Sequence, residues 1–217
     1  MNEFLINVAI WAVPVVLAIT LHEAAHGYVA RMFGDPTAHI MGRITLNPLK
    51  HVDPVGTLLV PGGIVLMNAL TGASFPPFGW AKAVPVDFSR LRRPKADMFW
   101  VAAAGPASNF AQAIVWAVLL GVVMRMDGES GIAAEMCQRG MLVNIGLMII
   151  NLIPVPPLDG GRIAVSLLPI RQALVWARIE PYGFFIVIGL LYFGMLDVVY
   201  RLVAPPLLRF LLVFSGF

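Results

Sequence analysis

The chain is decided by the stretch ITLHEAAHGYVARM, positions 19–32, and within it by His22-Glu23-Ala24-Ala25-His26. Two histidines four residues apart on a helix stand on one face, so their imidazoles can grip a single ion together. Glu23 then projects beside that ion, where a carboxylate is better placed to take a proton from water than to ligate. The motif closes an uncharged apolar run, residues 4–21. Ionisable groups in such a setting are costly and mark function.

Outward from this motif the composition is that of a membrane protein. Hydrophobic residues make up 59% of the 217, charged residues 12%, and the mean hydropathy is +0.83; an ordinary soluble domain has about 45–50% apolar and about 25% charged residues. Uncharged stretches cover residues 4–21, 54–81, 98–124, 140–158 and 181–196, several of them near the ~20 residues that a spanning helix needs. The first run lacks a positively charged start and carries straight on into the motif, which predicts a retained first helix instead of a cleaved leader. A single cysteine, Cys137, excludes a disulfide framework and reads as an unpaired loop thiol, so any metal is held by nitrogen and oxygen. The net charge of +3 does not point to nucleic acid, because the basic residues lie between apolar segments, as a topology signal does.

Residues 54–81 hold nine Gly and Pro, including Pro61-Gly62-Gly63 and Pro76-Pro77, too many for one continuous helix. This segment is expected to be re-entrant. Residues 38–46 have short extended character and predict one or two strands at the membrane surface, and Arg90, Arg92, Arg93 and Lys95 belong at a cytoplasmic face. With no internal repeat and no polar linker, residues 1–217 form a single domain, with its core at 4–170 and C-terminal helices at 181–217; no accessory domain is expected. The expected fold is an α-helical integral membrane protein. It has about five to six transmembrane helices, a small membrane-associated β element and a re-entrant segment after the first helix.

A catalytic metal needs a third protein ligand and one open position. His39 and His51 follow in a polar, surface-like segment. Asp35, Asp53, Asp87, Asp97 and Asp127 lie in charged loops where a solvated role is the default. Asp159 differs, because it ends Asn151-Leu152-Ile153-Pro154-Val155-Pro156-Pro157-Leu158-Asp159, where prolines break the helix at membrane depth; broken backbone there must be buried in protein or line a wet cavity. Topology agrees: if residues 54–81 do not span, His26 and Asp159 fall on the same face. Residues 31–97 then lie inside with eight Lys/Arg against four Asp/Glu, and residues 125–140 lie outside with two against three, as the positive-inside rule requires.

These residues resemble the site-2 protease family of intramembrane zinc metalloproteases, in its short form without a PDZ or CBS domain. The resemblance rests on His22-Glu23-Ala24-Ala25-His26, on Gly105-Pro106-Ala107-Ser108-Asn109, and on the Asn-x-x-Pro-x-Pro-x-Leu-Asp-Gly pattern from Asn151 to Gly160. Gly79-Trp80-Ala81-Lys82 and His51-Val52-Asp53-Pro54 are also similar to short-form members. The resemblance implies that His22, His26 and Asp159 bind one Zn2+ per chain, that Glu23 activates water, and that Asn151 meets the substrate backbone. Asn151 otherwise bonds between helices, and Asn109 either supports the site or takes part in it. Residues 38–86 form the expected edge strand and loop for a substrate added as a strand; His51 either reaches the metal at rest or is a surface or interface histidine.

The implied function is hydrolysis of peptide bonds in transmembrane or membrane-proximal proteins, in contact with membrane lipid and without nucleic acid. The expected location is a prokaryotic cytoplasmic membrane, with the site towards the cytoplasm. The competing readings are a membrane metal-ion carrier and an inactive scaffold. Glu23 and the absence of two related halves weigh against the carrier, and a complete ligand set against the scaffold. The sequence carries no signal of oligomeric state.

Overall fold

The computed structural model describes residues 3–73, 79–127 and 131–216; Pro76-Pro77 lie outside them. Helix α1 (Glu3–Met32) leads into a short α2 (Thr37–Ile40). A π-type turn, Pro54–Leu59, then runs directly into α3 (Val60–Thr71). The long α4 (Pro94–Asp127) is followed by α5 (Ile132–Asn151), α6 (Asp159–Leu167), α7 (Ile170–Ala177), α8 (Glu180–Tyr192) and α9 (Met195–Ser215). At about 1.5 Å per residue, α1 and α4 are each longer than the ~30 Å hydrocarbon layer.

Among the described residues, four helical stretches are long and apolar enough to cross a membrane: Leu5–Met32, Pro54–Thr71, Pro94–Met126 and Met195–Ser215. A fifth arises if α7 and α8, bent by 67° to one another, count as one. The expected five to six are met at five if that pair is one span, and a sixth finds no support among the described residues. Helix α5 falls outside the set; it carries Glu135 and Arg139, paired at 3.0 Å, near its start. It nevertheless packs along both α1 and α4 and carries the chain from the far end of α4 back to the level of the motif. Pro205 and Pro206 lie inside α9 and do not end it, because only the bonds to the Arg201 and Leu202 carbonyls are lost while Ala204 and Leu211 stay buried in the bundle.

Alanines 113, 117, 134 and 204 let α4, α5 and α9 approach closely, and Ile145, Met141 and Leu211 fill what remains. Cys137 belongs to this core and is buried. It is not a loop thiol, because the helix begins at Ile132, five residues earlier than a loop reading allows. At Gly140 an added Cβ would run into the ring of Trp116.

The expected β element is absent among the described residues. Residues 37–40 form a helical turn instead, and the chain reverses at Gly42, whose φ of +63° is open to glycine but strained for other residues. Arg43 is then buried and donates to the carbonyls of Lys82 and Ala83 at 2.8 and 3.3 Å. A side chain thus makes the bonds that a partner strand would have made.

The Gly/Pro-rich segment leaves at Pro54 and is back at Trp80, whose N–H donates to the Gly56 carbonyl at 3.1 Å, while Lys82 N–H donates to the His51 carbonyl at 2.9 Å. Its two feet thus lie together, so the segment closes as a hairpin whose outgoing arm is helical. Asp53 caps its start by accepting from Val55 and Gly56 N–H. Below it, buried Asp35 accepts from Thr37 and from Asp87 N–H, tying the end of α1 to the approach to α4. Asp97, also buried, accepts from Arg93 N–H at the start of α4. Asp35 and Asp97 are therefore anchors of the backbone, and not the solvated loop acids expected of them.

Gly140→Ala should destabilise the bundle by about 1–3 kcal/mol through overpacking against Trp116, whereas Gly189→Ala in α8, where nothing lies within 4 Å of the added methyl, should be neutral or slightly stabilising. Thermal unfolding of the two variants in detergent checks this; equal midpoints would refute the packing account.

Candidate metal centre

Three ligand-type atoms meet where α1, α4 and the start of α6 converge. His22 Nε2 and His26 Nε2 lie 3.1 Å apart, and each is 3.3 Å from Asp159 Oδ2. His22 and Asp159 are 7% and 9% exposed, so water does not shield the group. Among the described residues this is the one cluster of three His, Cys, Asp or Glu whose ligand atoms lie within 4.8 Å of one another.

The protonation of the two rings follows from their other nitrogens. Asn144 Nδ2 donates to the Gly140 carbonyl at 2.9 Å, which leaves Asn144 Oδ1 to accept from Asn109 Nδ2 at 3.0 Å. Asn109 Oδ1 must then face His22 Nδ1 as an acceptor, at 2.6 Å. His26 Nδ1 lies 2.7 Å from the Val101 carbonyl, which can only accept. Both Nδ1 atoms therefore carry a proton, so in the neutral rings both Nε2 atoms present lone pairs. Two lone pairs and a carboxylate oxygen face one another, and Asp159 Oδ2 has no hydrogen-bond partner despite two nitrogens 3.3 Å away. Such a triangle repels itself unless a cation sits among its corners.

The dimensions agree with that. Ligands held tetrahedrally at about 2.0–2.1 Å from zinc are about 3.3–3.4 Å from each other, and the three edges here are 3.1, 3.3 and 3.3 Å. The donor set of two imidazoles and one carboxylate leaves a fourth position open, as a catalytic site requires. Hydrogen-bonded outer nitrogens are also what a metal-binding histidine needs to keep its tautomer.

The sequence places each group for a physical reason. Gly105 of α4 passes so close beneath the rings that a Cβ there would fall on His26 Nε2 and on the ring of His22. Pro106 removes the bond to the Ala102 carbonyl and loosens the helix in this turn, where the Val101 carbonyl turns to His26. Asp159 is delivered by an irregular turn, residues 152–158, packed so tightly that a Cβ on Gly160 or Gly161 would meet backbone atoms of Leu152, Ile153, Val155 and Pro156. In α8, Gly183 abuts the Pro156 carbonyl.

Glu23 does not join the triangle. Its Oε2 accepts from Val84 N–H at 2.7 Å, so one carboxylate oxygen is held by an extended strap, residues 79–87, that lies across α1. Gly27, one turn further on, makes room for that strap, since a Cβ there would lie 3.0 Å from side-chain atoms of Ile44 and Val84. Arg43 grips the same strap through Lys82 and Ala83. Sequence reasoning missed both Val84 and Arg43; an arginine in a weakly hydrophobic segment was the only available signal.

Asn109 is fully buried beside His22. Asn151 ends α5, and its Nδ2 donates to the Leu147 carbonyl at 3.0 Å within its own helix. His51 is not at the triangle, nor is it a surface residue: it is 3% exposed, with Nε2 3.1 Å from the Thr45 carbonyl. His39 stands apart as well, 3.3 Å from the Arg31 guanidinium.

Apolar helices of spanning length around a buried histidine pair, a carboxylate and an adjacent glutamate define a membrane-embedded metallopeptidase. The family model described as peptidase family M50 matches residues 10–139 and 128–194. The chain belongs to that family, the site-2 proteases, and is an integral membrane metalloprotease. It is similar to the "Putative zinc metalloprotease YwhC" of Bacillus subtilis, 37% identical over 180 residues that cover 80% of this chain and 76% of that one. It is also similar to the "Putative zinc metalloprotease Rip2" of Mycolicibacterium smegmatis, 33% identical over 191 residues, with 87% and 67% covered. The protein of that name from Mycobacterium tuberculosis is 29% identical over 157 residues, covering 72% of this chain and 55% of its own. No solved structure gives a significant match.

Replacing Asn109 by Leu should weaken metal binding by about 10–100-fold, as loss of an outer hydrogen bond to a ligand does elsewhere. Competition with a chromogenic chelator measures it, and an unchanged affinity would show that Asn109 only fills space.

Proposed function

We propose that this protease holds one Zn2+ through His22 Nε2, His26 Nε2 and Asp159 Oδ2 and hydrolyses peptide bonds of transmembrane or membrane-proximal proteins, with Glu23 as the catalytic base. The observation that carries the reading is the triangle of unprotonated ligand atoms with edges of 3.1, 3.3 and 3.3 Å. Zinc in such a site supplies a Lewis acid that polarises a peptide carbonyl and lowers the pKa of water towards ~7.

The chain's own residues do the rest. Glu23 takes the proton of the attacking water on the oxygen that Val84 leaves free, and delivers it to the departing amide nitrogen. Val84 N–H holds Oε2 throughout, so the carboxylate keeps its aim without support from water. Asn109 and the Val101 carbonyl keep both imidazoles in the ligating tautomer. Asn151, whose Nδ2 is bound to Leu147, offers its carbonyl oxygen to an N–H of an unwound substrate.

The substrate class follows from the setting. A site reached among apolar helices selects chains that are themselves in or at the bilayer, and a helical amide there must first be unwound. We further propose that the site faces the cytoplasm of a prokaryotic cell. Arg90, Arg92, Arg93 and Lys95 precede or open α4 at the end of the bundle that carries the site, Lys95 reaches the Leu168 carbonyl at the end of α6, and the similar proteins come from bacteria.

Glu23→Gln should keep about one zinc per chain and lose cleavage of a transmembrane substrate by at least ~100-fold, the scale of a lost general base; Asp159→Ala should lose both. Cleavage by Glu23→Gln, or wild-type protein without zinc, would sink the proposal and favour a metal carrier or scaffold. Arg43→Ala, which frees the strap, should lower kcat several-fold with zinc content unchanged; an unaltered kcat would show that the strap does not aim Glu23.

A further inference from the structure

Helix α7 carries charge that no step of the chemistry above uses. Arg171 and Arg178 stand seven residues apart, about two helical turns, and so share one face, on the side away from the buried Ala173. Both are exposed, and among the described residues neither guanidinium has a hydrogen bond or an ion pair. Glu180, the next acid along the chain, lies 3.8 Å from Arg162 instead. Ile170, Leu174 and Val175 of α7, and Leu167 at the end of α6, are each 61–69% exposed. The open side of α7 therefore shows free cations and aliphatic side chains together.

The depth of the helix follows from its neighbours. Residues 98–124 of α4 are uncharged, and at about 1.5 Å each they exceed the ~30 Å of a hydrocarbon layer, so Lys95, three residues earlier, lies at or beyond the edge of that layer. Lys95 Nζ donates to the Leu168 carbonyl, which brings the start of α7 to the same edge. From there α7 is bent by 67° to the more apolar α8. At a bilayer surface aliphatic side chains enter the acyl region, arginines extend to the phosphates, and anionic lipids supply the countercharge. A soluble anion would use the two charges alone; the aliphatic neighbours fit a ligand with tails.

We propose that α7 binds the headgroup of an anionic phospholipid through Arg171 and Arg178, with Ile170 and Leu174 against its acyl chains. The helix is also tied to the metal centre, because Trp176 Nε1 donates to the Pro154 carbonyl at 3.0 Å, in the turn that delivers Asp159. A lipid held on α7 steadies that turn. This consequence rests on the protease reading above, whereas the lipid site itself does not.

The test separates binding from cleavage. Purified zinc-loaded protein in an uncharged detergent is titrated with fluorescent phosphatidylglycerol and, separately, with phosphatidylcholine of the same chain length. Phosphatidylglycerol should bind at least about tenfold more tightly. Arg171→Gln with Arg178→Gln should remove most of that preference, since one arginine at a membrane surface is worth about fivefold, while zinc content and melting temperature stay unchanged. Arg171→Lys with Arg178→Lys, which keeps both charges, should retain it, and glycerol phosphate, which has the charge without the tails, should not compete. Equal binding of the two lipids, a preference that survives the paired glutamines, or displacement by glycerol phosphate overturns the site. In nanodiscs, cleavage of a transmembrane substrate should rise several-fold with phosphatidylglycerol for wild-type protein and stay flat for the glutamine variant; a flat wild-type response overturns the link to Asp159. Failure of the protease reading would appear separately, as no cleavage in any lipid by protein that still prefers phosphatidylglycerol.

Discussion

Three electron-rich atoms facing one another in a dry interior are the constraint on which this molecule is built. With neutral imidazoles, His22 Nε2, His26 Nε2 and Asp159 Oδ2 have no proton to share, because each ring's one proton is committed to Asn109 or Val101 on its far side. In a low dielectric such an arrangement is strongly unfavourable without a compensating positive charge. A cation bound there would stabilise the bundle as well as equip it, because the three candidate ligands come from α1 and the start of α6 while the groups that orient the two imidazoles come from α4.

The helices are held at the required spacing by what is missing from them. Gly105 lets α4 pass under the imidazoles, Gly140 lets α5 settle on Trp116, and Gly160, Gly161 and Gly183 let the turn that bears Asp159 fold on itself and against α8. Between α4 and α5 the buried Asn109 and Asn144 form a relay of amides that starts at a backbone carbonyl and ends at a ring nitrogen. A half-satisfied relay would cost more than an apolar contact of the same shape. A single orientation of both amides satisfies it, and that orientation is the one that prepares His22 to ligate.

The centre of the site was legible because its rules are local. The spacing of His22 and His26 sets a helix face, and Asp159 stands out where prolines interrupt an apolar run. What could not be read depends on partners far along the chain. Residues 38–46 have β-type side chains, but Gly42 reverses the backbone and Arg43 takes carbonyls 39 and 40 positions away. Asp35 looks like a loop residue until its donor at Asp87, 52 positions on, is known, and Cys137 looks exposed until α9 covers α5; Asp97 and His51 bond near neighbours, Arg93 and Thr45, and only their burial separates them from solvated loop residues. The hold of Val84 on Glu23 spans 61 positions; a valine before a proline gives no sign of it.

The closed feet of the hairpin separate what must be constant from what can vary. Gly56 and Trp80 meet at its base, and the strap, the base and the metal ligands lie on the near side of that junction. Residues inserted or lost between the feet change only a loop whose ends are already joined, at a closure cost that grows slowly with length. The outward part of the segment can therefore change in length or sequence without moving the strap, Glu23 or the His22–His26–Asp159 triangle.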